Sequence, residues 1–201
     1  PPGIVHLYST TNFPLCKGQG LPCAPVPLIC VRFRVKLKQI GERKGISMAF
    51  DFKKEYREFY LPKAVPGLVT VPPANYIAVR GQGDPNQPGG AYQQAISVLY
   101  AVAYTLRMSA KSGHQIEGFF DYVVPPLEGF WQQEGTGPLD LSRKGDFRWI
   151  SVIRLPDFVT RADFAWAVEE AGRKKKLDCS AAEFLPVEEG LCVQILHIGP
   201  F

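Results

Sequence analysis

The chain has 201 residues, of which 12% are aromatic and 21% charged, with a formal net charge of +4; it is long enough for one domain of ordinary size with a single core. The positive sign is no argument for nucleic acid. Residues 1–47 carry seven cations (Lys17, Arg32, Arg34, Lys36, Lys38, Arg43, Lys44) against Glu42 alone, a net of +6, which leaves −2 for residues 48–201.

The first 47 residues hold six prolines and three cysteines and show no sustained periodicity. The apolar run Leu21–Val31 is too short and too proline-broken to span a bilayer, and it lacks a signal-peptide layout. Cys16, Cys23 and Cys30 recur every seven residues, which is no zinc spacing. Lys44-Gly45 can be encoded as AAAGGA just upstream of the Met48 codon, where a bacterial ribosome-binding site lies. Residues 1–47 are therefore expected to be a disordered or non-native leader, with a true N-terminal arm as the rival, and residues 48–201 the domain.

From Met48 the pattern becomes regular. Tyr56–Pro66 reads as an entry segment with a short helix up to Leu61-Pro62, punctuated by Val65-Pro66 and Val71-Pro72-Pro73. Asn75–Arg80 alternates as a strand, with Tyr76, Ala78 and Arg80 on one side and Ile77 and Val79 on the other. Gly81–Asn86 reads as a loop. Ala91–Arg107 predicts an amphipathic helix with Ala95, Leu99, Val102 and Leu106 in one stripe. Phe119–Val124 and Trp149–Leu155 read as strands stopped by prolines. Thr160 opens a second helix with Asp163 in capping-box position, and Arg173–Lys176 sit at its C-terminus, where cations complement the dipole. Leu191–Ile198 is the last strand, expected to be an exposed edge through which chains self-associate. The order predicts an α+β fold, an antiparallel sheet with helices on one face.

No metal constellation is present: His6, His114 and His197 are far apart and none has a ligand at i+3 or i+4. Gly81-Gln82-Gly83-Asp84-Pro85 lacks the third glycine of a dinucleotide fingerprint and reads as a tight turn, so no cofactor is implied. Cys179 and Cys192 are isolated thiols, Cys192 expected in the core, and the absence of a disulfide framework fits a reducing cytoplasm. The chemistry-bearing feature is acids beside aromatics. Glu128 lies in Leu127-Glu128-Gly129-Phe130-Trp131, and Glu188-Glu189-Gly190 precedes the last strand. Aromatic walls with embedded carboxylates receive flat or cationic molecules, and burial there turns a carboxyl into a general acid or base. The plainer alternative is that the aromatics are core and the acids decorate turns.

Five stretches together resemble the GyrI-like small-molecule-binding family, particularly its stand-alone bacterial members: FDFKKEYREFYLPK (50–63), VPPANYIAVRGQGDPN (71–86), DYVVPPLEGFW (121–131), FRWISVIRLPDFV (147–159) and EEGLCVQILHIGPF (188–201). The resemblance runs from about Met48 to the end. It implies tandem strand-helix-strand-strand modules with a ligand groove between them, the second module incomplete here because the family continues with a helix and two strands beyond the motif at Phe201. It implies drug sensing, gyrase-linked inhibition or hydrolysis of cyclopropane-bearing DNA alkylators as activities. By position it makes Glu189 the base that orients a water, Glu128 or a tyrosine a proton donor, and Tyr76, Tyr122, Trp131 and Trp149 ligand-binding walls. A small molecule is the implied partner, with no direct nucleic-acid contact, since nothing reads as a helix-turn-helix.

Overall fold

The structure, a computed structural model, describes residues 3–7, 29–33, 49–133 and 140–197. It is α+β. Among the described residues, ten strands and four α-helices run in the order β1 (Gly3–Leu7), β2 (Ile29–Phe33), β3 (Phe50–Asp51), α1 (Phe52–Glu55), α2 (Arg57–Tyr60), β4 (Gly67–Val71), β5 (Ala74–Gln82), α3 (Ala91–Arg107), β6 (Tyr122–Val123), β7 (Leu127–Gln132), β8 (Arg148–Arg154), α4 (Arg161–Lys175), β9 (Glu183–Val187) and β10 (Gly190–His197). Eight strands form one antiparallel sheet in the order β4-β10-β1-β2-β7-β8-β5-β9, and β3 pairs with β6 in a parallel ribbon.

Two parts of this differ from expectation. Gly3–Leu7 and Ile29–Phe33, read as part of a disordered leader, are strands that pair with β10 and β7; both carry the β-branched residues that suit a pleated surface. The remainder of 1–47, with Cys16 and Cys23, lies outside the described residues, as does the motif at 198–201. The last strand is not an edge either. β10 lies between β1 and β4, and the ends of the sheet are β4 and β9. Pro186 in β9 suits an edge, where its missing donor costs nothing.

The sheet closes back on itself for a reason legible in the register. Only Pro72 and Pro73 separate β4 from β5, and only Glu188 and Glu189 separate β9 from β10. Val71 pairs with Gly190 and Ala74 with Val187, so the two segments form one long ribbon with a corner in it. Val71 and Ala74 are at most about 10 Å apart along the chain, whereas six strand spacings across a flat sheet would be roughly 29 Å. The sheet must therefore curl, which gives it an inner face and a helix face.

Both long helices pack on the helix face. The expected stripe of α3 is buried in full, and Leu99, Val102 and Leu106 are wholly so, each contributing roughly 2 kcal/mol of transfer free energy. α4 is capped as read: the Thr160 hydroxyl accepts from the Asp163 amide while the Asp163 carboxylate accepts from the Thr160 amide. Its C-terminal cations are partly neutralised at home, since Glu170 pairs with both Arg173 and Lys174. His114 is structural, its ring stacked on Trp166 at 4.0 Å with Nε2 2.8 Å from Asp163 Oδ1.

The inner face is covered by the entry segment. Phe52, Phe59 and Tyr60 of α1 and α2 pack over Tyr76, Phe130 and Val152. The Gln194 amide donates to the Glu58 carbonyl at 2.7 Å, tying α2 to β10. The Phe50 amide donates to Asp121 at 2.8 Å and anchors the other end.

Candidate functional site

Strand alternation decides which candidates meet. Along β7, Leu127, Gly129 and Trp131 face the helices, while Glu128 and Phe130 face inward. Along β8, Trp149, Ser151 and Ile153 face the helices, while Ile150, Val152 and Arg154 face inward. Tyr76 and Ala78 of β5 continue the inner surface. Glu128 pairs with Val152, which pairs with Ala78, so the carboxylate stands at the β7 side of an apolar floor that continues over β8 and β5.

Glu128 is 1% exposed, and its Oε1 accepts a hydrogen bond from the Tyr60 hydroxyl at 3.1 Å. Tyr76 and Tyr122 are buried in the same cluster. Tyr122 sits edge-on to Phe52 at 6.4 Å, with the Arg107 guanidinium 5.8 Å from its ring centre. Burial raises its phenol well above the ordinary value, against a smaller opposing pull from Arg107. Glu189 is half-buried at the ribbon corner. Its main-chain carbonyl is 3.7 Å from the Cys192 thiol, and Cys192 belongs to the inner cluster, so the corner borders the site. Cys192 is in the core as expected, and it and Cys179 are free thiols.

Trp131 and Trp149 are not brought to this face. Both lie beneath α3, with Tyr92 5.3 Å from the first and 5.0 Å from the second. Two strand glycines make room for them. A Cβ on Gly81 would lie 2.3 Å from the Trp149 ring, and one on Gly129 would lie 2.7 Å from Trp131 Nε1. Burial pushes the Tyr92 phenol up to about 12, in keeping with a core position.

Two inward residues escaped the sequence reading. Tyr60 is 68 positions from Glu128, and no local pattern links them. Arg154 is 6% exposed, with its guanidinium carbon 4.8 Å from the Tyr56 ring centre and 5.3 Å from that of Phe52. A cation in a run otherwise without charge was the available signal, in Trp149-Ile150-Ser151-Val152-Ile153-Arg154. Among the described residues, no group of His, Cys, Asp or Glu is arranged to hold a metal ion, and no helix is long and apolar enough to cross a membrane.

The fold and site define an α+β protein with a buried carboxylate under an aromatic cover. No protein-family model and no curated protein matches the chain. Solved structures do. An uncharacterized conserved protein from Listeria innocua is 46% identical, with 76% of this chain and 73% of that one covered and a TM-score of 0.69. Two crystal structures of hydrolases from the same organism are 44% identical (76% and 72% covered, TM-score 0.67) and 46% identical (77% and 74% covered, TM-score 0.70). The chain belongs to the family of these Listeria proteins.

Proposed function

We propose that the chain is a GyrI-like protein that receives flat hydrophobic or cationic small molecules against the inner face of the sheet and hydrolyses cyclopropane-bearing electrophiles there, a detoxifying activity of the cytoplasm. The observation that carries the reading is Glu128, a carboxylate 1% exposed and held by a buried tyrosine hydroxyl. Burying an ionisable group costs several kcal/mol, and such groups concentrate where chemistry needs them. The hydrolase character of two Listeria relatives supports it.

In this reaction Glu189 takes a proton from water as the water oxygen bonds to a cyclopropane carbon. The ring C–C bond breaks, and its electron pair moves through the conjugated system onto a carbonyl oxygen, which becomes phenolic on receiving a proton from Glu128 or a tyrosine. The sum is one water added, its hydroxyl on the opened ring carbon and a proton on the phenolic oxygen, with Glu189 and the donor regaining their starting protonation by exchange with solvent. Ring strain drives the step, so the protein's part is positioning and charge placement. Tyr76 and Tyr122 serve as walls; Trp131 and Trp149 brace the floor from behind.

The test is chromatographic loss of an intact cyclopropane-bearing alkylator. Ring opening by the protein, lost in Glu189→Gln with binding retained within a few-fold, supports the reading. Intact compound with wild-type protein removes hydrolysis and leaves a non-catalytic ligand-sensing or gyrase-interacting module.

A further inference from the structure

Arg154 and Glu128 are diagonal neighbours on the inner face. Glu128 pairs with Val152, two residues along β8 from Arg154, a placement that sets side-chain origins about 7 Å apart and within reach of an arginine. An arginine and a carboxylate so placed can join, and a buried guanidinium without an acceptor is costly. They do not join. Glu128 turns to Tyr60, and Arg154 lies between the rings of Phe52 and Tyr56. Among the described residues nothing accepts a hydrogen bond from the buried Arg154 Nε, and no carboxylate stands within ion-pair range of the guanidinium. Guanidinium offers five donors in a planar fork, and buried donors in folded proteins are nearly always satisfied. Ring faces hold the charge but accept none of its in-plane N–H groups.

We propose that Arg154 is the oxygen-binding group of the site, donating in-plane hydrogen bonds to a carbonyl, phenolate or carboxylate oxygen on a flat aromatic ligand, which lies with that oxygen between Arg154 and Glu128. This rests on the hydrolase reading for its catalytic meaning. When the strained C–C bond breaks, the electron pair arrives on the carbonyl oxygen, and a fixed cation there stabilises the developing charge without moving. It also sorts ligands. Within the hydrophobic-or-cationic class proposed above, an arginine end in a dry site favours the acceptor-bearing aromatic over the cationic one.

Isothermal titration calorimetry of the full chain with 2-naphthoate, and with the matching 2-naphthyltrimethylammonium cation, tests this without any strained ring. Naphthoate should bind more tightly than the cation, and Arg154→Met should weaken naphthoate by at least about tenfold, the scale of a charged hydrogen bond. A thermal melt establishes that the variant is folded. Should Arg154→Met fail to fold, the wild-type Arg154 Nε–H resonance provides the readout, and naphthoate should shift it. Failure of wild type to bind naphthoate, equal binding by folded Arg154→Met, tighter binding of the cation, or an unmoved Nε–H resonance overturns the proposal. Because this is equilibrium binding, the two readings part cleanly. Ring opening without Arg154-dependent binding removes only this inference, and Arg154-dependent binding without ring opening removes only the hydrolase reading.

Discussion

Gly81→Ala should destabilise the protein by about 2 kcal/mol, although it adds one methyl group in an allowed strand conformation. Gly81 pairs with Trp149 across β5 and β8, and a Cβ there would lie 2.3, 2.5 and 3.0 Å from three atoms of the indole. Ordinary carbon contacts lie near 3.5–4.0 Å, so the ring would have to retreat by about 1 Å. It has nowhere to go. Trp149 is 3% exposed, with Tyr92 edge-on at 5.0 Å and Tyr92 in turn against Trp131. With three indole atoms within 3.0 Å and the ring clamped, the strain passes to the β5–β8 ladder or to α3 at about 3 kcal/mol, the upper end for overpacking. The stiffer alanine in the unfolded chain offsets about 0.5–1 kcal/mol. The net, about 2 kcal/mol, is read in urea as a lower midpoint at unchanged slope. A double-mutant cycle identifies the cause: with Trp149→Leu already in place the alanine should cost almost nothing, a coupling of about 2 kcal/mol. A wild-type midpoint for Gly81→Ala, or additive behaviour in the cycle, would refute the packing argument.

Tyr60→Phe removes the hydroxyl on Glu128 at 3.1 Å and should cost about 1–2 kcal/mol, a fall of roughly 3–6 °C in a melt for a chain of this size; an unchanged midpoint would show that the bond contributes nothing. Asp163 is a pH-dependent brace. Burial pushes its carboxyl up, but the Thr160 hydroxyl, the His114 ring and the Thr160 amide together outweigh it and leave the pKa below 3.8. A folded-state value below the unfolded one makes this contribution complete above 3.8 and lost as pH falls through the lowered value. Asp163→Asn should therefore lower the urea midpoint at pH about 7, with the gap narrowing toward pH about 2; a gap independent of pH would contradict the assignment.

What the sequence made legible was periodicity. The stripe of α3 placed that helix at Ala91–Arg107, and Thr160 with Asp163 located the start of α4. β5 followed from alternation, β8 from an aromatic and β-branched run stopped by Pro156, and β10 from an apolar run near the end of the chain. β7 was not read as a strand, because Pro125-Pro126 precede it and Glu128 and Gly129 are poor strand formers. Burial between β2 and β8 overrides that preference. That omission bears on the site. Read as a strand, Glu128 and Trp131 stand three residues apart and so on opposite faces, and the grouping of both tryptophans with Glu128 dissolves. The strand expected over Phe119–Val124 shrinks to Tyr122–Val123, since only that pair finds a partner, in β3. β4 and β9 were invisible for another reason: they are continuations of β5 and β10 around a corner, defined by register and not by local composition. Tyr60 reaches the site from α2, 68 positions away in the chain, and Arg154 through the β7–β8 register.

The account stands most directly on Glu128. The decisive measurement is the rate at which purified protein consumes a cyclopropane-bearing alkylator, wild type against Glu128→Gln, with the melting midpoint of each recorded. The account predicts ring opening by wild type and a loss of at least about a hundredfold in the variant, the scale expected of a general acid, at a midpoint that shows the variant folded. Equal rates in the two proteins would contradict that role for Glu128 and leave the proton transfer to a tyrosine.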